Sequence, residues 1–342
     1  MRVAYFHTGT ILSSWSIYSI GATLRSMGHE VFEGTIPTNF HGAVVNNLGR
    51  GDFDRIRAKM PTLEELESCD AILVAGPEYV AVWLNTLYGK EQWCKLKARR
   101  IALYLESTER QDAKFRYDIF ADWYDEHYFP DRDDVARFHG KHLDGFIDLE
   151  MFKPCFYDGQ PAHSCDQACT ARRMAEKKYQ AAFVGSLYPK RMQFLNELLP
   201  LISGIDFYAN GVAVRDLSGE CHREWAELLA KNIRQIKIHV ALPSNNIKMM
   251  VARPFETMAC GTFLLTYRTE DNPFRDGVHC RLYDPAKPRE LADLIRYYAT
   301  HEEEREAIAR AGFEEIRKNY CVRQRLAQIL NAASAKAASQ AN

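Results

Sequence analysis

The residues of this sequence with the clearest chemical potential lie between residues 245 and 277. Arg253 and Glu256 fall in one predicted helical turn, and the helix is followed by Gly261. A guanidinium group matches phosphate oxygens, and a helix N-terminus favours anions. The carboxylate of Glu256 can accept two hydrogen bonds from a ribose-like diol. This stretch therefore predicts a site for a ligand that carries both phosphates and hydroxyl groups.

Apolar runs and glycine predict the elements that position these two side chains. Phe255 and Met258 form the apolar face of the helix, and Glu256 points to a different side. Gly261 is the residue type that commonly ends a helix. Residues 262–267 are mostly apolar and predict a short buried strand. The site is therefore expected on a helix held between two strands.

The same stretch resembles the C-terminal half of the GT-B glycosyltransferases, and most closely their CgeB-like branch, named for a spore maturation protein. The pattern is Arg-x-Phe-Glu, a small residue, Cys-Gly, a buried strand, a Phe-x-x-Gly turn and a final helix rich in Glu and Arg. Here it is formed by Arg253, Phe255, Glu256, Ala259, Cys260, Gly261, Phe274 and Gly277, followed by residues 291–320. The resemblance implies an α/β fold with two Rossmann-like domains facing across a cleft. It also implies that Glu256 binds the ribose of a nucleoside diphosphate sugar.

Length and composition are consistent with two cytoplasmic domains. The chain has 342 residues, of which 46% are hydrophobic, enough for two cores. The formal net charge is -1, so the chain as a whole does not attract nucleic acid or anionic lipid electrostatically. Nine cysteines without a regular spacing indicate reduced, buried thiols. The first residues predict a strand and not a signal peptide, and no apolar run is as long as a membrane span.

The order of predicted elements divides the chain. Residues 2–36 predict a strand, a turn, a helix and a second strand, but the turn has one glycine where a dinucleotide site would need three. A nicotinamide or flavin site is therefore disfavoured. The predicted parts are an N-terminal acceptor domain (1–154), a linker or insertion (155–178), a C-terminal nucleotide-sugar domain (179–320), and a helix end with a flexible tail (321–342).

Several further residues are predicted to bind the donor. A turn at Gly185 lets the backbone approach a phosphate, and cations can neutralise a leaving diphosphate without a metal. Each candidate also has a structural alternative, such as a strand end, an ion pair or packing. The donor-binding candidates are Gly185, Ser186, Lys190, Arg191, Tyr208, Ser244, Asn245, Lys248, Arg253 and Glu256. Tyr208 is expected to stack on the base, and the backbone at Ser244 and Asn245 to contact its edge.

The catalytic base and the stereochemistry are less well defined. An inverting enzyme needs a group that takes the proton of the acceptor hydroxyl. His7, Glu78 and Glu106 each follow a predicted strand, where site residues of open sheets collect. His7 could instead bond the backbone, and the two acids could stabilise helix N-termini. Many retaining relatives carry an acid eight residues before the ribose-binding Glu, where this chain has Lys248, so the anomeric outcome stays open.

Two further patterns suggest metals but favour other interpretations. Asp131-Arg-Asp133-Asp134 matches the Asp-x-Asp of the other glycosyltransferase fold, yet its position before a helix predicts an N-cap. A cluster of three cysteines and a histidine lacks the paired spacing of zinc sites. That cluster comprises Cys155, His163, Cys165 and Cys169. No metal and no cofactor other than the sugar donor are expected.

The predicted function is transfer of a hexosyl or pentosyl unit from a nucleoside diphosphate sugar to an acceptor hydroxyl or similar nucleophile. The acceptor is left open among a small molecule, a glycan, a protein and a modified base in DNA. The other alternative is an inactive module that binds a nucleotide sugar. Lys248 supports this alternative, because it stands where many retaining relatives have an acid.

Overall fold

The computed structural model describes residues 1–8, 16–36, 54, 56–104, 121–154, 177–211, 222–243, 250 and 252–340. They belong to two compact units. The first unit consists mainly of the described parts of Met1–Asp144 and Val322–Asn342, and the second of those of Gly145–Asp216 and Arg223–Cys321. Each unit contains one parallel sheet with helices.

The first unit is built on a six-stranded sheet. Its strands are β1 (Arg2–Thr8), β2 (Glu30–Ile36), β3 (Ala71–Ala75), β4 (Arg99–Leu103), β5 (Glu126–Phe129) and β6 (Lys141–His142), in the order β2-β1-β3-β4-β5-β6. Its helices are α1 (Ser16–Ser26), α2 (Leu63–Glu67), α3 (Pro77–Tyr88), α4 (Lys90–Lys95) and α5 (Arg132–Phe138), with the C-terminal helix, Val322–Gln340, packing on α1. Fully buried Phe6, Trp93 and Phe129 lie in its core.

The second unit is built on a five-stranded sheet. Its strands are β7 (Tyr179–Gly185), β8 (Phe207–Gly211), β9 (Ile236–Val240), β10 (Phe263–Tyr267) and β11 (Arg281–Tyr283), in the order β11-β10-β9-β7-β8. Its helices are α6 (Pro189–Leu198), α7 (His222–Arg234), α8 (Ala252–Ala259), α9 (Pro288–Thr300) and α10 (Glu302–Asn319). The C-terminal helix, Val322–Gln340, which belongs to the first unit, is α11. Nearly every residue of β9 and β10 is buried because helices cover the sheet.

The strand order places a switch point in each sheet. In both units the first strand of the sheet lies between the second and the third, so the chain crosses to the other side after the second strand. Open parallel sheets bind ligands outside the carboxyl ends of the strands at this point. The switch points are between β1 and β3 in the first unit and between β7 and β9 in the second.

Local sequence signals account for the ends of several elements. The side chain of Asp131 accepts a hydrogen bond from the backbone N–H of Asp133, which confirms the predicted N-cap. Gly261 has a φ of 60° beyond the end of α8, a left-handed conformation that glycine adopts without strain, as predicted. In the described part of the chain, none of the helices combines the length and apolarity required to span a bilayer.

Candidate functional site

Buried Glu256 and partly exposed Arg253 form an ion pair near the amino end of α8. Nη1 of Arg253 donates to Oε2 of Glu256, and the Glu256 side chain is only 3% exposed. Burial raises the pKa of Glu256, and the charge of Arg253 partly opposes that rise. Among the described residues, Oε1 of Glu256 makes no hydrogen bond. The pair therefore presents a carboxylate acceptor and a guanidinium donor side by side in a low-dielectric setting, where hydrogen bonds to a ligand are strong.

A buried histidine connects this helix to the switch point of the sheet. His239 is the penultimate residue of β9 and is fully buried. Its Nε2 accepts a hydrogen bond from the backbone N–H of Val184 (3.3 Å), next to Gly185 at the end of β7. Its Nδ1 lies 3.0 Å from Oγ1 of Thr257, which donates to the backbone carbonyl of Arg253 (2.8 Å). The sequence analysis missed both His239 and Thr257, although a histidine within an apolar strand is itself a signal.

The burial of His239 predicts a pH-dependent stability. Burial, with a smaller contribution from the charge of Arg253, lowers the pKa of His239 from 6.5 to about 3. Below pH 6.5 the unfolded chain therefore takes up a proton that the folded chain does not, and stability falls. We expect this group to reduce the free energy of unfolding by about 2 kcal/mol between about pH 7 and pH 5. Urea denaturation across this range should show a steeper decline for the wild type than for His239→Gln; equal slopes would contradict this expectation.

Arg191 binds backbone carbonyls across the switch point. Its Nη1 donates to the carbonyl of Ser186 (3.0 Å), and Nε and Nη2 donate to those of Pro243 (3.2 Å) and Leu242 (3.3 Å). The guanidinium carbon lies 4.4 Å from the ring centroid of Tyr188. These contacts tie the turn after β7 to the segment after β9. Arg191 thus shapes the edge of the sheet, and its predicted role as a phosphate ligand stays a prediction.

The glycine at the end of β7 is required by close packing. A Cβ at Gly185 would lie 2.9 Å from Cζ of Phe183, so a larger residue would displace that ring. Gly185 is buried and Ser186 is exposed, and the approach of a phosphate to this backbone stays a prediction. Lys190 is exposed on the first turn of α6, which follows this turn directly.

Tyr208 is not placed as the sequence analysis expected. The strand that carries it, β8, spans Phe207–Gly211, so Tyr208 lies near the amino end of this strand and is paired with Ala182. Its ring stacks on Tyr179, the first residue of β7, with centroids 4.6 Å apart. Tyr208 thus lies away from the carboxyl edge where open parallel sheets bind ligands, and its predicted stacking on the base stays a prediction.

In the first unit, His7 near the carboxyl end of β1 forms a hydrogen-bonded pair with Glu33 in the middle of β2. Nε2 of His7 lies 3.2 Å from Oε1 of Glu33 and 3.1 Å from Oγ1 of Thr35. Burial alone would raise the pKa of Glu33, but hydrogen bonds and charges from His7 and Arg25 together lower it. Glu33 is therefore an ionised partner that can orient His7, which is itself buried.

Other predicted positions lie outside the described residues. They are Glu106, Ser244, Asn245 and Lys248, the side chain of Glu78 on α3, and the cluster of Cys155, His163, Cys165 and Cys169. Within the ranges that the structure describes, no group of three or more His, Cys, Asp or Glu side chains is arranged to hold a metal ion.

Sequence comparison finds one similar family, over a range that lies mostly in the second unit. Residues 190–331, less than half of the chain, match a family model described as glycosyl transferase-like. This range contains α8 with Arg253 and Glu256, and also His239 on β9. No curated protein matches the sequence.

Solved structures resemble the chain over nearly its whole length. A sucrose-phosphate synthase from Thermosynechococcus elongatus is 12% identical with a TM-score of 0.64, covering 98% of this chain and 99% of its own. HepE from Anabaena in complex with UDP-glucose is 13% identical with a TM-score of 0.63, covering 98% and 100%. An α-glucosyltransferase in complex with UDP-glucose and DNA containing an abasic site is 9% identical with a TM-score of 0.63, covering 98% and 99%.

These similarities confirm the predicted fold class. The chain has the α/β fold of the GT-B glycosyltransferases, with two sheets of parallel strands. The narrower assignment to the CgeB-like branch is not confirmed and stays a prediction.

Proposed function

We propose that this protein is a glycosyltransferase that uses a UDP-sugar, with UDP-glucose as the first candidate donor. The observation that carries the proposal is the ion pair of Arg253 with buried Glu256 near the amino end of α8, the helix that follows the switch-point strand β9. A nucleoside diphosphate has both groups that this pair can bind, a diol and a phosphate. The choice of UDP-glucose is supported by the structurally similar HepE and α-glucosyltransferase, whose complexes contain it.

In this proposal the second unit binds the donor and stabilises the leaving group. Glu256 accepts hydrogen bonds from the ribose hydroxyls. Arg253, whose side chain is 20% exposed, and exposed Lys190 offset the charge that develops on the diphosphate. The turn at Gly185 offers backbone N–H groups to the same anion. Side-chain cations and the N-terminus of the helix thus neutralise the charge of the leaving diphosphate without a metal.

The proposed base is His7. Glu33 holds Nε2 of His7, and a histidine oriented through one nitrogen can accept a proton on the other. It would take the proton of the acceptor hydroxyl as the sugar is transferred. We leave the acceptor open among small molecules, glycans, proteins and modified DNA bases. A cytoplasmic location is also proposed, and the free thiols of Cys69, Cys94, Cys260, Cys280 and Cys321 are consistent with it.

Thermal unfolding with nucleotide sugars tests the proposal. UDP-glucose at about 100 times its Kd is expected to add roughly 2.7 kcal/mol to the free energy of unfolding, because it binds only the folded state. GDP-, ADP- and dTDP-glucose serve as matched controls and should stabilise less. Absence of stabilisation by any of the four would contradict the proposed function.

Donor hydrolysis then separates an active enzyme from a binding module. We expect slow release of UDP from UDP-glucose in water, detected by coupled assay, and its loss in His7→Gln. Binding without any release in the presence of candidate acceptors would favour the inactive module. A salt-sensitive gel shift on duplex DNA would instead favour a DNA acceptor.

A further inference from the structure

Four groups in the second unit form a continuous hydrogen-bonded chain, here called the His239 relay. It runs from the backbone N–H of Val184 through the ring of His239 and the hydroxyl of Thr257 to the backbone carbonyl of Arg253. His239 and Thr257 are both fully buried. The relay joins Val184, the penultimate residue of β7, to Arg253 in the first turn of α8.

The direction of every bond in the relay follows from its two ends. The Val184 N–H can only donate, so Nε2 of His239 accepts. The carbonyl of Arg253 can only accept, so the single hydroxyl proton of Thr257 points to it. Thr257 must then accept from Nδ1–H of His239, 3.0 Å away. A neutral histidine with its proton on Nδ1 satisfies all four groups, and the uncharged ring is the form that burial favours.

The two ends of the relay carry separate parts of the proposed donor site. Val184 immediately precedes Gly185, whose backbone is predicted to approach a phosphate. Arg253 carries the guanidinium group that is paired with Glu256. These parts come from segments far apart in the sequence, on opposite sides of the β7–β9 switch point. A diphosphate bound by both requires a fixed spacing between them.

We propose that His239 and Thr257 are positioning residues that hold the Gly185 turn and the first turn of α8 at the spacing required by one diphosphate. The inference rests on the proposed function and deepens it. Neither side chain contacts the ligand in this account. The relay acts on phosphate recognition and leaves recognition of the nucleoside unchanged.

A comparison of UDP with uridine tests this inference. Calorimetric titration of Thr257→Val should show UDP affinity lowered about tenfold, because without the hydroxyl the relay no longer fixes the distance between the Gly185 turn and the first turn of α8. The affinity for uridine should stay within about twofold of the wild-type value. Thr262→Val is the matched control. Thr262 is equally buried and also donates to a backbone carbonyl, that of Ile233 (3.0 Å), but lies outside the relay. It should leave both affinities unchanged.

Conservative variants distinguish positioning from general damage to the fold. Thr257→Ser keeps the hydroxyl and should restore UDP affinity to near the wild-type value. If Thr257→Val does not fold, His239→Asn provides the same comparison. Its amide occupies the place of Nδ1 and can donate to Thr257, but no longer reaches Val184. It should weaken UDP binding and spare uridine binding.

The outcomes separate the two proposals. Equal UDP affinity in Thr257→Val and Thr262→Val, or equal losses for UDP and uridine, would overturn the relay while leaving the proposed function intact. A wild-type protein that binds neither UDP nor uridine would contradict the proposed function, and the relay with it. Selective loss of UDP binding with rescue by Thr257→Ser supports both.

Discussion

Replacing Glu256 by glutamine is expected to weaken UDP binding by about 100-fold, equivalent to roughly 2.7 kcal/mol. The carboxylate can accept hydrogen bonds from both ribose hydroxyls, whereas the amide presents an NH₂ group to one of them. The side chain is buried, so water does not compensate for the lost acceptor. The fold should survive, since glutamine has the same shape and removes a carboxylate whose pKa burial raises. Calorimetric titration and thermal unfolding measure the two effects.

A change in the ligand provides the matched control for Glu256→Gln. The wild type should prefer UDP over 2′-deoxy-UDP, which lacks one of the two hydroxyls. In Glu256→Gln this preference should shrink to near unity, because the group that distinguishes the two ligands is gone. A variant that binds UDP weakly but retains the full preference would show that Glu256 acts through the fold and not on the ribose.

Arg253→Met is expected to lower the free energy of unfolding by about 3 kcal/mol, because it leaves the buried carboxylate of Glu256 without its cation. The double variant Arg253→Met/Glu256→Gln should recover most of this loss, since it removes the uncompensated charge. Urea denaturation of the wild type and the three variants at neutral pH completes the double-mutant cycle.

A more exposed ion pair in the same unit serves as the control for Arg253. Arg281 pairs with Asp276 at 3.0 Å, and both side chains are 29% exposed. Arg281→Met should therefore reduce stability by less than about 1 kcal/mol. If Arg253→Met is no more destabilising than Arg281→Met, the Glu256 carboxylate is not held in the low-dielectric environment described above.

The sequence predicted those features that depend on local signals. The end of α8 shortly before Gly261 and the cap at Asp131 follow from single residue types at particular positions, and both predictions were correct. Alternating predicted strands and helices indicate an α/β fold, and the resemblance of residues 253–277 to the GT-B enzymes implied the two-domain class. The position of Tyr208 near the amino end of its strand could not be predicted, because apolar residues alone do not set the first residue of a strand, and β8 begins at Phe207.

Contacts between distant segments could not be predicted in this way. Arg191 and Pro243 are 52 residues apart, and Val184 and His239 are 55 apart. Each of these contacts depends on the pairing of β7 with β9, which no single segment encodes. The burial of Glu256 has the same origin, since an Arg and a Glu three residues apart could equally pair on an exposed helix surface. The sequence therefore identified the pair but not its environment.

A crystal structure of the protein with UDP-glucose tests the central claim most directly. The account predicts both ribose hydroxyls within about 3 Å of the Glu256 carboxylate oxygens, with the diphosphate against Arg253 and the Gly185 turn. A UDP-glucose molecule whose ribose contacts other side chains, with Glu256 still paired only to Arg253, would contradict it.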